Sequence, residues 1–241
     1  MQAQTVGHDR GLRLLHTGVD SIYEAYLPGW LILVDSTGRR FCDETAPYGM
    51  LDQLVRAHGD RVWAICDQAA LDAATESGVA RYKQSIPGSS KKQSPHWTTD
   101  VVELMVRAGR ARRGASLADL AIALDCDVDV LAGTIERYNT DVGAGEDAHF
   151  GKAPTFLEPL RTAPFHAVEL RPSTVCSTAY GLRIDRDARV LAQDSRPIPG
   201  LYAAGECTGG VVGAQYAGSG NNYAHGTVFG RTAGDPAAAW S

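Results

Sequence analysis

The chain has 241 residues, 23 Lys+Arg against 28 Asp+Glu for a net charge of −5, and 44% hydrophobic residues. That is enough apolar material for one large or two modest cores, and with 21% charged residues the chain does not read as disordered. The mild acidity argues against a nucleic acid or an anionic membrane held by bulk charge, and the longest apolar runs, such as Trp30 to Val34, fall far short of a membrane span.

Residues 1–29 are short and mixed. Met1-Gln2-Ala3-Gln4 has neither a basic nor an apolar signal-peptide region, so none is expected. Leu12-Arg13-Leu14-Leu15 has the pattern of one helical turn, punctuated by Gly7, Gly11 and Gly18. This stretch has too little apolar surface to stand alone and is expected to belong to something larger.

Residues 30–165 read as a self-contained unit. Trp30 to Asp35 is strand-like, Ser36-Thr37-Gly38 a turn, and Arg39-Arg40-Phe41 its return. Met50 to His58 places apolar residues at 50, 51, 54 and 55, a helical face, and Val62 to Cys66 is again strand-like. Ser85 to Ser94 is a polar loop. Thr98-Thr99-Asp100 is a cap for a helix over Val101 to Ala108. Ser116 with Asp119 forms a capping box ahead of Leu117 to Leu124, and Asp127 caps a helix over Val128 to Asn139, with Leu131, Ile135 and Tyr138 on one face. Gly143 to Lys152 is a loop.

Residues 166–241 change period. His166 to Leu170 and Leu182 to Asp185 are short strands, and Asp185 to Ala188 turns into Arg189-Val190-Leu191 as a hairpin. Pro197 to Gly200 leads into Leu201-Tyr202-Ala203-Ala204-Gly205, a buried strand, and Asn222 to Ala233 is a helix. Its small residues Ala224, Gly226, Gly230 and Ala233 suit close packing on another element.

Of 26 glycines, nine fall between Gly205 and Gly234. A strand ends at Gly205-Glu206, a glycine-rich loop follows, and a helix begins at Asn221–Asn222. Free backbone N–H groups and a positive helix end there suit a phosphate or a delocalised anion, while Glu206 suits sugar or polyol hydroxyls. The plain alternative is a flexible turn with Glu206 solvated. The dinucleotide fingerprint G-x-G-x-x-G is absent, as are H-E-x-x-H, Walker A, paired-cysteine zinc and G-x-S-x-G patterns, so no metal site is expected. The seven histidines are isolated and read as surface or ordinary core residues. Five cysteines with no C-x-x-C pair read as reduced thiols of a cytoplasmic protein.

The run Arg189-Val190-Leu191, Arg196-Pro197-Ile198-Pro199-Gly200-Leu201-Tyr202-Ala203-Ala204-Gly205-Glu206, followed by Gly226-Thr227-Val228-Phe229-Gly230-Arg231, is similar to the closing flavin segment of the fumarate reductase/succinate dehydrogenase flavoprotein superfamily. Leu31 to Glu44 resembles the lead into that family's mobile cap, and Pro164-Phe165-His166-Ala167-Val168 the way out of it. The resemblance covers nearly the whole chain. It implies an α/β fold with an α+β cap: a bipartite FAD-binding domain, in pieces at 1–29 and 166–241, interrupted by a cap at 30–165. It also implies FAD as cofactor, with Gly205, Glu206, Gly218, Asn221 and Asn222 against it.

On the substrate side, fumarate reductases carry a proton-donating arginine and a late histidine; Tyr48 and Cys176-Ser177 stand in the corresponding places. Both changes remove cations that bind a dicarboxylate. Glu44-Thr45-Ala46-Pro47-Tyr48 and Tyr216-x-Gly218-x-Gly220 instead resemble the 3-ketosteroid Δ1-dehydrogenase branch. That likeness assigns the Tyr216 hydroxyl and Gly220 N–H to a substrate carbonyl, and Tyr48 to the proton beside it. Two donors on a ketone acidify its α-carbon, a base removes that proton, and hydride passes between the β-carbon and flavin N5. The plain alternative for both tyrosines is a packing aromatic with a wet hydroxyl.

In the superfamily the ADP-binding Rossmann portion lies at the start of the chain, and nothing before Gly7 matches it; Gly7 to Leu14 resembles the loop and helix just before the cap. The chain is therefore expected to be a C-terminal half, with a partner chain supplying the dinucleotide-binding part and a small-molecule ketone or enone as substrate. The other reading is a non-catalytic, truncated cap or binding module without stable FAD.

Overall fold

The computed structural model describes residues 2–16, 27–46, 48–59, 61–77, 97–211, 213 and 220–238. The chain is a mixture of helix and sheet, divided into two compact units: Met1–Arg13 with Thr174–Ser241, and Leu14–Ser173. Strands β1 (Thr5–His16) and β5 (Phe165–Leu182) contribute residues to both.

The unit Leu14–Ser173 is built on an antiparallel sheet. Strand β5 lies between β3 (Val62–Asp67) and β4 (Ala111–Gly114), and β2 (Ile32–Val34) extends the sheet beyond β3. The register is set by Leu33 opposite Ala64, and by Val168 opposite both Ala64 and Ala111. Helices cover both faces, and β2 and β3 are buried along their whole length. On one face Leu33, Ala64 and Leu170 pack with Leu51 and Val55 of α1 (Tyr48–Ala57) and Met105 of α3 (Thr99–Arg107). On the other, Ile32, Trp63 and Ala167 pack with Leu120 of α4 (Leu117–Leu124) and Ile135 of α5 (Val128–Ala144). This explains why β2 and β3 read as unbroken apolar runs rather than as alternation.

Local chemistry accounts for the starts of two helices and the end of one. The Ser116 hydroxyl accepts the Asp119 N–H and donates to its carboxylate, and Asp127 accepts the N–H groups of Asp129 and Val130. Thr98 precedes α3 in extended conformation, but its side chain makes no capping bond. Helix α5 continues past Asn139 to Ala144, where Gly145 at φ 75° ends it. Helix α2 (Gln68–Ser77) and strand β4 are not expected from sequence pattern. Alanine dilutes the apolar period of the first, and the second is an arginine-bearing Ala-Arg-Arg-Gly edge.

Three expectations are corrected. Leu12 to Leu15 is strand, within β1, because one isolated helical turn is below the length that holds itself while β5 offers a ladder. His166–Leu170 and Leu182 belong to one continuous strand of 18 residues. The hairpin β6 (Arg189–Leu191) and β7 (Pro197–Tyr202) forms as expected, yet β7 is not buried: Leu201 is 41% exposed. Apart from Ala188, Val190, Leu191 and Ala192, every described buried hydrophobic residue lies in the other unit. The polar loop Ser85 to Ser94 lies outside the described residues. No helix among the described residues is long and apolar enough to cross a membrane.

Candidate functional site

Strand β7 leads through Ala203–Ala204 into a 3-10 turn over Gly205–Cys207, and helix α6 (Asn221–Ala238) follows the glycine-rich segment. Gly205 sits at φ 82°, a conformation a side chain resists, and its Cα lies 3.8 Å from where a Cβ on Gly226 of α6 would stand. On the other side the turn is fastened to β5. The Thr178 N–H donates to Glu206 Oε1 at 2.9 Å, and the Gly209 N–H to the Leu182 carbonyl at 3.0 Å. A Cβ on Gly181 would stand 2.4 Å from the Cys207 carbonyl oxygen, so strand and turn touch backbone to backbone.

Two sides of the same imidazole join the turn to α6. The Gly205 N–H donates to His225 Nδ1 at 3.0 Å, His225 Nε2 lies 3.3 Å from Thr208 Oγ1, and the Thr208 hydroxyl donates to the Gly205 carbonyl at 2.7 Å. Burial lowers the basicity of His225. In sequence this histidine is isolated and no motif spacing marks it, so its part in the turn was not expected.

The expected site residues fall as follows. Glu206 is exposed at the turn, and the Thr178 N–H orients its carboxylate. Gly220, at φ 96°, is exposed with nothing within 4 Å of where a Cβ would stand, and its carbonyl takes the first helical N–H, from Ala224. Asn221 and Asn222 open α6 half-buried. The Asn221 side-chain amide is buried and has no hydrogen-bond partner among the described residues. Tyr48 is the first residue of α1, and its side chain lies outside the described residues. Tyr216 and Gly218 lie outside them altogether.

A second polar cluster, which the sequence did not reveal, is buried in the unit Leu14–Ser173. Arg40 donates to both oxygens of Glu44, at 2.8 and 2.9 Å, and to Asp147 Oδ2 at 2.7 Å. Lys152 Nζ donates to the Leu31 carbonyl at 2.7 Å and lies 3.3 Å from Glu44 Oε2, while the Leu33 N–H donates to Glu44 Oε1. Burial alone would raise the Glu44 carboxyl; Lys152, Arg40 and the Leu33 N–H outweigh it and hold it below the ordinary range. Burial pulls the Lys152 ammonium below the usual lysine value against the field of Glu44. Asp141, Asp147 and His149 bring ligand-type atoms within 4.8 Å of one another. Asp147 is already committed to Arg40 and to the N–H groups of His149, Phe150 and Lys152, which leaves no open cation site there. These groups tie residues 31–44 to residues 147–152 and form a structural pin.

Comparison with known proteins gives the fold its relatives. The FAD-binding domain family matches residues 21–223. The NADH:acrylate oxidoreductase of Vibrio harveyi is 30% identical over 210 residues, 87% of this chain and 19% of that protein. The digoxin reductase of Eggerthella lenta is 33% identical over 214 residues, 86% of this chain and 35% of that one. Among solved structures, the 3-ketosteroid-Δ4-(5α)-dehydrogenase of Rhodococcus jostii superposes with a TM-score of 0.73 at 25% identity, over 98% of this chain and 43% of that chain. The chain thus spans about a third or less of the length of these curated relatives.

The residues present fit one side of an FAD site. Among the described residues the buried Asn221 side-chain amide has no partner, nothing stands within 4 Å of where a Cβ on Gly220 would be, and an 18-residue helix begins there, a start that suits an anionic or polar group. By the match to residues 21–223, which spans most of its length, the chain belongs to the FAD-binding domain family.

Proposed function

We propose that this chain forms the cap and the flavin-closing part of an oxidoreductase acting on a carbon pair next to a carbonyl, by ketosteroid-like desaturation or its reverse. The observation that carries the reading is the Gly205 turn, held between β5 and α6 with Glu206 and Asn221 left to meet a ligand. Unit Met1–Arg13 with Thr174–Ser241 is the FAD side, and unit Leu14–Ser173 the cap. Gly205, Glu206, Gly218, Asn221 and Asn222 meet the cofactor. The Glu206 carboxylate accepts from polyol hydroxyls, and the helix N-terminus favours negative charge on the flavin ring. FAD, when bound, supplies hydride transfer at N5.

For the substrate, the Tyr216 hydroxyl and the Gly220 N–H donate to the carbonyl oxygen, which lowers the cost of charge developing there. Tyr48 moves the proton at the adjacent carbon. As an ordinary tyrosine titrates near pH ~10, it acts as a base only beside a group that stabilises its phenolate. Acrylate, in the name of the Vibrio harveyi relative, and 4-androstene-3,17-dione, with which the Rhodococcus jostii structure is in complex, both carry a C=C bond conjugated to a C=O group, and the second is an enone, which supports a ketone or enone substrate.

The dinucleotide-binding part docks on the FAD side. Supporting this, Tyr180, Leu201, Val211, Tyr223 and Val228 of that unit are 41–85% exposed. Co-production with the neighbouring upstream gene product tests the whole reading: a yellow complex supports it, and a stable colourless monomer that never takes up FAD favours a non-catalytic binding module. Tyr216→Phe in an active complex tests the carbonyl donor, and unchanged turnover of a ketone would remove that assignment.

A further inference from the structure

We infer that His225 is a positioning residue of the flavin site: its ring, with the proton on Nε2, pins the Gly205–Thr208 turn and therefore Glu206 to the first turns of α6. The inference rests on the flavin reading above and goes beyond it, since nothing in that reading assigns a histidine.

The proton inventory permits one arrangement. Gly205 has a single N–H, and it points at His225 Nδ1 from 3.0 Å, so Nδ1 is the acceptor and carries no proton. The Thr208 hydroxyl proton is committed to the Gly205 carbonyl at 2.7 Å, which leaves Thr208 Oγ1 free to accept. The ring's remaining proton is then on Nε2 and meets that oxygen at 3.3 Å. Phe229, one turn further along α6, lies with its centroid 4.8 Å from the imidazole and covers it. A doubly protonated ring would set two N–H donors against each other at Gly205, and burial already disfavours that state.

The place of this pin in the fold gives it a role. Among the described residues, the side-chain hydrogen bonds that join α6 to the rest of its unit are those of His225; the hydroxyls of Thr227 and Thr232 bond within the helix. His225 is one turn on from Asn221, whose amide has no partner among the described residues, and its hydrogen-bond partner Gly205 adjoins Glu206, whose carboxylate is aimed by Thr178. The spacing between the helix N-terminus and the carboxylate, the two groups assigned to the cofactor, is thus set through one ring. It touches neither substrate nor reacting atoms and acts through the turn.

The test uses the flavin-loaded protein that contains this chain, with two variants. His225→Asn keeps an acceptor near the Nδ1 position, while His225→Leu keeps apolar bulk without one. The Leu variant is expected to raise the FAD dissociation constant about tenfold or more, equal to roughly 1.4 kcal/mol, with Asn within about threefold of wild type. Without flavin, the Gly205 amide proton is expected to exchange about tenfold faster in the Leu variant and to stay protected in the Asn variant. The ¹⁵N spectrum of the wild-type ring is expected to show the Nε2–H tautomer. A ring protonated on Nδ1, or Gly205 exchange indifferent to His225→Leu, overturns the pin even where flavin binds normally; the spectrum decides the matter if the Leu variant does not fold. A wild-type protein that takes up no FAD refutes the flavin reading instead, so the two failures are told apart.

Discussion

Replacing Lys152 with Met probes the buried pin most directly. The four groups balance: Arg40 and Lys152 against Glu44 and Asp147, with the side chains of Lys152 and Glu44 both 0% exposed. Met occupies nearly the same volume, so little cavity cost is expected. What goes is one positive charge and the 2.7 Å bond to the Leu31 carbonyl, leaving Glu44 and Asp147 to share Arg40. Breaking a buried ion pair from one side costs about 3–5 kcal/mol. For a domain of roughly 150–250 residues each kcal/mol is about 2–4 °C in Tm, so a drop of about 6–20 °C is expected. The assay is thermal and urea unfolding of the Lys152→Met and Glu44→Gln variants and of the double variant. If the pair is coupled, the double variant loses clearly less than the sum of the singles. A Lys152→Met loss under about 1 kcal/mol, with additive singles, would refute the reasoning, because it would mean that the lysine enters the fold uncharged.

The same cluster predicts acid sensitivity. Burial raises the Asp147 carboxyl, but Arg40 and the Phe150 and Lys152 N–H groups outweigh it and hold it down to about 2, below its ordinary 3.8. Its contribution is therefore complete above about pH 4 and lost as the pH falls towards 2, roughly 2 kcal/mol in all; Asp147→Asn should flatten that limb in urea titrations at pH 2–5. Gly181→Ala places a Cβ 2.4 Å from the Cys207 carbonyl and must displace the turn, so FAD affinity should fall about tenfold or more by equilibrium titration. Asn139 bonds both polar backbone groups of Leu160, and Asn139→Ala should cost about 2–3 kcal/mol in urea unfolding; an unchanged midpoint would show that water replaces both bonds.

Much of the local structure was legible because it has local causes. The caps at Ser116 and Asp127 lie within three residues of the N–H groups they satisfy. The apolar runs Trp30 to Val34 and Val62 to Cys66 announce strands covered on both faces. The glycines of 205–234 and the segment Arg196 to Glu206 point to the flavin side and its family without help from the fold. The long strand β5 was not legible, since Pro172 and the polar residues near it break the apolar period.

What the sequence determined by itself was therefore element type, helix starts, and the kinship that its glycine-rich closing segment carries. Only the tertiary structure decided which distant charges share a buried pin and which histidine holds the turn. Arg40 meets Asp147 across 107 positions of chain, and His225 meets Gly205 across 20. Such partners leave no spacing to read. Their pairing is selected by the desolvation each group would suffer alone, and that cost exists only once the surrounding chain has excluded water.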